Sequence, residues 1–113
     1  MSIKLGIADH KKGTTWDGLE IVATTTDENN NIVPLDLTGA SVVANFKAGN
    51  NTIFSFKTSD NSIIIPNPTN GKMNFAPRVM NVPPNNYYFD VIVTLENGDI
   101  EPIVDTHSWN IYL

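Results

Sequence analysis

Tyr87-Tyr88-Phe89-Asp90-Val91-Ile92-Val93-Thr94-Leu95 runs into Glu96-Asn97-Gly98-Asp99, and then into a second apolar-rich stretch that starts at Ile100. Strand side chains alternate between two faces, so Tyr87, Phe89, Val91, Val93 and Leu95 share one face while Tyr88 and Asp90 point away. Asn-Gly is the preferred pair for a two-residue hairpin turn, which needs positive φ at both central residues. Residues 100–112 are therefore expected to return antiparallel, with Trp109 and Ile111 inward. Pro102 marks a kink or an edge position near the start of that strand.

The same rhythm extends upstream. Residues 3–8 place Ile3, Leu5 and Ile7 on one face, and residues 19–25 do so with Leu19, Ile21 and Ala23. Asp27-Glu28-Asn29-Asn30-Asn31 reads as a polar turn, since Asn and Asp tolerate left-handed backbone and bond their own chain. Residues 32–35 read as a short edge strand, because Pro34 has no N–H to give a ladder. Residues 40–48 set Val42, Ala44 and Phe46 against Ser41, Val43, Asn45 and Lys47 on the opposite face. Gly49-Asn50-Asn51 then turns the chain into residues 52–57, with Phe54 and Phe56 inward. Isoleucines 63–65 and the alternating stretch 72–75 follow. No segment holds apolar residues at helical spacing for more than a turn or two. Turns recur about every 8–12 residues, so the expectation is one all-β domain over residues 1–113, an antiparallel sandwich of about seven or eight strands. Its core would gather Trp16, Phe46, Phe54, Phe56, Phe75, Phe89 and Trp109.

Composition narrows the function classes. Apolar residues make up 41% and charged residues 17% of the 113, the balance of a globular domain. There is no cysteine, which excludes a disulfide framework, a thiolate metal site and a cysteine nucleophile. Twelve acidic against seven basic residues give a net charge of −5. That argues against nucleic-acid binding, which depends on clustered Lys and Arg. The longest apolar run is far short of the roughly 20 residues of a membrane-spanning helix. Residues 1–6 lack the apolar stretch of a signal peptide, so synthesis in the cytoplasm and no membrane association are expected.

A search for chemistry returns scaffold explanations. His10 and His107 are the only histidines, too few for a zinc site and outside any nucleophile pattern. The acidic pairs Asp17 with Glu20 and Asp99 with Glu101 match the carboxylate chemistry of a glycosidase, but solvated strand and turn surfaces carry such groups by default. Residues 27–31 resemble the opening of a calcium loop, yet Ile32 stands where its glycine belongs and Thr38 where its closing Glu belongs. Gly49 is followed by no phosphate-binding Lys. Asn50-Asn51-Thr52 matches a glycosylation acceptor, which has weight only in a secreted chain. The chain is expected to be non-enzymatic, with no cofactor and no metal.

Four stretches occur in an order that carries a resemblance: Gly13-Thr14-Thr15-Trp16-Asp17-Gly18, Pro34-Leu35-Asp36-Leu37-Thr38-Gly39-Ala40, Asn70-Gly71-Lys72-Met73-Asn74-Phe75, and Tyr87-Tyr88-Phe89-Asp90-Val91-Ile92-Val93 running into Asn97-Gly98. This layout resembles the Ig-like β-sandwich domains of tailed-bacteriophage structural proteins, most of all the N-terminal domain of the upper baseplate protein. Asn85-Asn86 stand where that family often has a Gly. The family member usually continues into a fibre or linker, whereas this sequence ends at Leu113, as expected of a cap, adaptor or head decoration. The resemblance implies a virion component of the tail, baseplate or fibre attachment that contacts other virion proteins, as a symmetric homo-oligomer in the particle. The candidate contacts are Asn29, Asn30, Asn50, Asn51, Asn85, Asn86 and Tyr88, in loops 27–31, 49–51 and 79–86 and on the sheet surface. An exposed strand edge is a further route to a partner. Scaffold roles fall to Trp16, Asp36, Thr38, Gly39, Tyr87, Asp90 and Trp109. The alternative expectation is a sandwich that binds host surface glycans through Tyr88, Trp16 and the Asn-rich loops.

Overall fold

The alternating apolar faces close on one another as a two-layered β-sandwich. The structure is a computed structural model that describes residues 9–113, apart from the side chains of Asp105 and Thr106. The strand expected at residues 3–8 lies outside the described residues. Twelve strand segments follow in chain order: β1 (His10–Lys11), β2 (Thr15–Trp16), β3 (Leu19–Val22), β4 (Thr24–Thr26), β5 (Ile32–Pro34), β6 (Ser41–Ala48), β7 (Asn51–Lys57), β8 (Ile63–Ile64), β9 (Lys72–Phe75), β10 (Arg78–Val79), β11 (Asn85–Thr94) and β12 (Ile100–Tyr112). Eight of these have three or more residues, in line with the seven or eight strands expected. The other four are two-residue pairings at the margins.

One sheet has the order β1-β12-β11-β6-β7, antiparallel except where β1 runs parallel to the end of β12. The facing layer is β3-β9-β8, flanked by the pairs β2–β10 and β4–β5. Setting β3, β9 and β8 against β12, β11, β6 and β7 is the strand arrangement of an immunoglobulin-like sandwich. Ring contacts join the layers: Phe75 of β9 lies 5.4 Å from Phe56 and 5.9 Å from Phe89, centroid to centroid. Trp16 of β2 lies 5.5 Å from Phe56 and 5.1 Å from Trp109. Val42, Ala44, Phe46, Tyr87, Phe89, Val91, Val93, Trp109 and Ile111 are all buried, as the alternation requires. Phe54 is only half-buried; one side of its ring stacks on Phe46 and the Arg78 guanidinium lies over it.

Three local features depart from the sequence expectation. First, Asn97 does not have positive φ; among residues 95–99 only Gly98 does, at +94°. The Gly98 N–H donates to the Leu95 carbonyl at 2.9 Å and the Leu95 N–H to the Asp99 carbonyl at 2.8 Å. The loop is thus three residues long, an ordinary turn followed by a left-handed glycine, and not a two-residue Asn-Gly turn. Second, β12 carries extra residues. Val91 lies opposite Val104 and Ile92 opposite Pro102, so Ile103 has no partner of its own. Both Ile103 and Val104 are consequently buried, and the bulge accommodates Pro102 beside it. Third, the expected loop 79–86 is shorter, because Val79 belongs to β10 and Asn85 and Asn86 already belong to β11.

Tyr87 ties the start of β11 to the preceding chain: its hydroxyl donates to the Pro83 carbonyl. A tyrosine at this corner, bonded a few residues upstream, is a recurring device of immunoglobulin-like sandwiches. Burial pushes the Tyr87 phenol above its ordinary value of 10.0. The unfolded chain therefore gives up this proton at lower pH than the folded one, and stability falls as pH rises past the unfolded value. We expect Tyr87→Phe to cost about 1 kcal/mol in urea unfolding at neutral pH. The variant should also lose less stability than the parent above pH 10.

Candidate functional site

Outward positions of the central strands gather a cluster of polar side chains, bordered by the outward pair Val43 and Ile92. Asp90 of β11 lies opposite Asn45 of β6, and Tyr88 lies opposite Lys47. On the other flanks, Asn45 faces Ser55 of β7 and Tyr88 faces Ser108 of β12. Directly opposed side chains stand close enough to bond. Ser55 Oγ donates to Asn45 Oδ1 at 2.9 Å, and Asn45 Nδ2 donates to Asp90 Oδ1 at 3.0 Å. The other Asp90 oxygen, Oδ2, meets Lys47 Nζ at 3.0 Å. Beside Tyr88, Ser108 Oγ donates to Asn86 Oδ1 at 2.9 Å. With 33% of the Lys47 side chain exposed and 16% of the Asp90 side chain, the pair is only partly shielded from water and contributes about 1 kcal/mol or less.

At the β6–β7 turn this surface dips into a shallow depression of about 210 Å³, lined by Lys47, Gly49, Asn50, Tyr88, Phe89 and Asp90. Tyr88 keeps 39% of its surface exposed there, while its chain neighbours Tyr87 and Phe89 are buried. Both Asp90 oxygens are already engaged, and the lining offers hydrogen-bonding groups beside the partly exposed Tyr88. Among the described residues no three His, Cys, Asp or Glu side chains gather as metal ligands. No helix there is long and apolar enough to cross a membrane.

The residues singled out from the sequence separate into distinct places. Asn50, Tyr88 and Asp90 come together at the depression. Asn51 opens β7 and is exposed. Asn29 and Asn30 lie apart, in the turn joining β4 to β5, where Asp27 Oδ1 accepts the Asn29 and Asn31 backbone N–H groups at 2.9 Å each. Asn85 and Asn86 are strand residues, paired with Ile111 and Asn110. Trp16 is buried in the core, so it offers no ring to a surface sugar. Trp109 is also buried, and its indole nitrogen has no partner among the described residues. Thr38 and Gly39 form the turn before β6, where Ala40 N–H donates to the Leu37 carbonyl at 3.0 Å and Gly39 takes φ +71°. Sequence reasoning missed Asn45, Lys47, Ser55 and Ser108. Their outward positions were readable, but which strands lie side by side was not.

Three aspartates act as turn locks. The Thr38 hydroxyl and backbone N–H both donate to Asp36 Oδ1, and these two bonds hold its carboxyl below the ordinary 3.8. Asp27 is lowered mainly by the Asn31 backbone N–H, and Asp60 mainly by the Ser62 hydroxyl. No protein-family model matches the chain, and no curated protein is significantly similar to it.

Carboxyls lowered on folding stabilise the protein above their unfolded value and lose that contribution as pH falls through the folded value. The midpoint of thermal unfolding should therefore drop as pH is taken below 3.8, and Asp36→Ala should flatten that drop. Asp90→Asn keeps an acceptor for Asn45 but removes the ion pair. It should cost about 1 kcal/mol or less, and the difference should shrink in about 1 M NaCl, where charges are screened within a few ångströms.

Proposed function

We propose that this chain is a non-enzymatic structural or adaptor component of a bacteriophage particle, acting in the tail, baseplate or fibre attachment through protein–protein contacts. The observation that carries this reading is that its converging polar side chains sit on the open outer face of a sheet, with only a small depression of about 210 Å³ beside them. A surface of that shape suits another protein surface, and a stable contact needs roughly 800 Å² from each partner. The order of the four resemblant stretches supports the phage assignment. They fall on the pieces that build the sandwich: β2, the turn before β6, β9, and β11 with its hairpin. Repetition of the domain around a symmetry axis would present the face several times over.

Quantitative mass spectrometry of purified virions tests the proposal. Peptides of this chain should appear at a fixed integer ratio to a tail or baseplate protein, and stay after a high-salt wash. Their absence from particles, with the protein abundant in the lysate, would refute the virion assignment.

A further inference from the structure

We propose that the depression around Tyr88 binds one neutral sugar residue of a glycan. This goes beyond the adaptor role, which needs protein contacts alone. Tyr88 occupies an outward strand position where a polar residue would suffice, and 39% of its surface is exposed to solvent. A sugar ring has apolar C–H faces and a rim of hydroxyls, so it matches an aromatic face bordered by hydrogen-bonding groups. That border is present. Lys47 and Ser108 stand directly across from Tyr88 on the two neighbouring strands, and Asn50 and Asp90 line the same depression.

Charge and size narrow the ligand. Lys47 and Asp90 are paired at 3.0 Å, so the lining carries no net charge. An anionic ligand would have to compete for Lys47 with a carboxylate already bonded to it, whereas hydroxyls can add to lone pairs and donors that the pair leaves free. A volume of about 210 Å³ is below the roughly 300 Å³ at which drug-sized sites begin, and suits a single ring. The network is also ordered in advance: Ser55 holds Asn45, Asn45 and Lys47 hold Asp90, and Asn86 holds Ser108. The side chains of Lys47 and Asp90 therefore lose little freedom on binding. A shallow site of this kind binds weakly by itself. Repetition in a symmetric particle would raise the avidity by about 10² to 10⁴.

Chemical-shift titration of the ¹⁵N-labelled chain tests the site. The probes are the methyl glycosides of glucose, galactose, N-acetylglucosamine and rhamnose, with N-acetylneuraminic acid as the anionic member. At least one neutral glycoside should shift the amides of Lys47, Gly49, Asn50, Tyr88 and Asp90, with a Kd of about 1–10 mM. Tyr88→Ala should weaken that binding at least about tenfold, and Tyr88→Phe should stay within about threefold of the parent. Raising NaCl from about 50 to about 500 mM should leave the Kd unchanged, because no charge is neutralised. Three results would overturn the proposal: no shifts at these amides from any neutral glycoside, undiminished shifts in Tyr88→Ala, or preferential, salt-sensitive binding of the anionic sugar. Virions that contain the chain, with a domain that binds none of the neutral sugars, would leave the adaptor role standing and remove the glycan site.

Discussion

Aromatic packing between the two sheets is the constraint from which the rest of the molecule follows. Trp109 touches Trp16, Phe46 and Phe89, and Phe56 touches Trp16, Phe54, Phe75 and Phe89, with centroids 5.1 to 6.4 Å apart. Antibody domains pin their layers with a disulfide, and this chain has no cysteine to do so. Large rings take over that space, each pair adding about 0.5–1.5 kcal/mol beyond the area it buries. Because the rings come from β2, β6, β7, β9, β11 and β12, the contact set holds both layers and the margin together. Near close packing, no ring can move without displacing its neighbours.

That inner rigidity decides what the outer face can be. Residues one step away from a buried ring have no rotational choice about which side they occupy. Tyr88 and Asp90 must face solvent because Tyr87, Phe89 and Val91 are locked inward. Asn45 and Lys47 are placed likewise by Ala44 and Phe46. Cross-strand pairing then sets them side by side, and the hydrogen bonds from Ser55 through Asn45 to Asp90 tie them into one ordered polar cluster. The turns add a second kind of order: Asp27, Asp36 and Asp60 each spend a carboxylate oxygen on nearby N–H or hydroxyl groups. These acids shape the chain locally.

Where sequence reasoning and structure part, a non-local cause is visible. The alternation of β11 was legible because a half-buried strand needs nothing more than its own period to declare itself. The Asn97-Gly98 pair lies one residue too late for the turn that forms, because the Gly98 N–H bonds the Leu95 carbonyl and Leu95 pairs with Asp99 outside a three-residue loop. Adjacent Ile103 and Val104 break the period, and only the pairing with Val91 and Ile92 explains it. Trp16 is buried as its size leads one to expect, but its packing partners are not legible locally. Its neighbours in sequence are polar, yet it is buried against Phe56 and Trp109, residues distant in the chain.

By itself the sequence determined that this protein is all-β, which faces of β6 and β11 are apolar, where the Asx-locked turns fall, and that thiol chemistry is excluded. Those properties depend on residue type and short spacing, and physics acts on them locally. Only the tertiary structure decided which strands are neighbours, and hence that Asn45, Lys47, Ser55, Tyr88 and Asp90 share one surface. Pairing between strands tens of residues apart is chosen by how well two complete apolar faces pack together, and no short window of sequence contains that information.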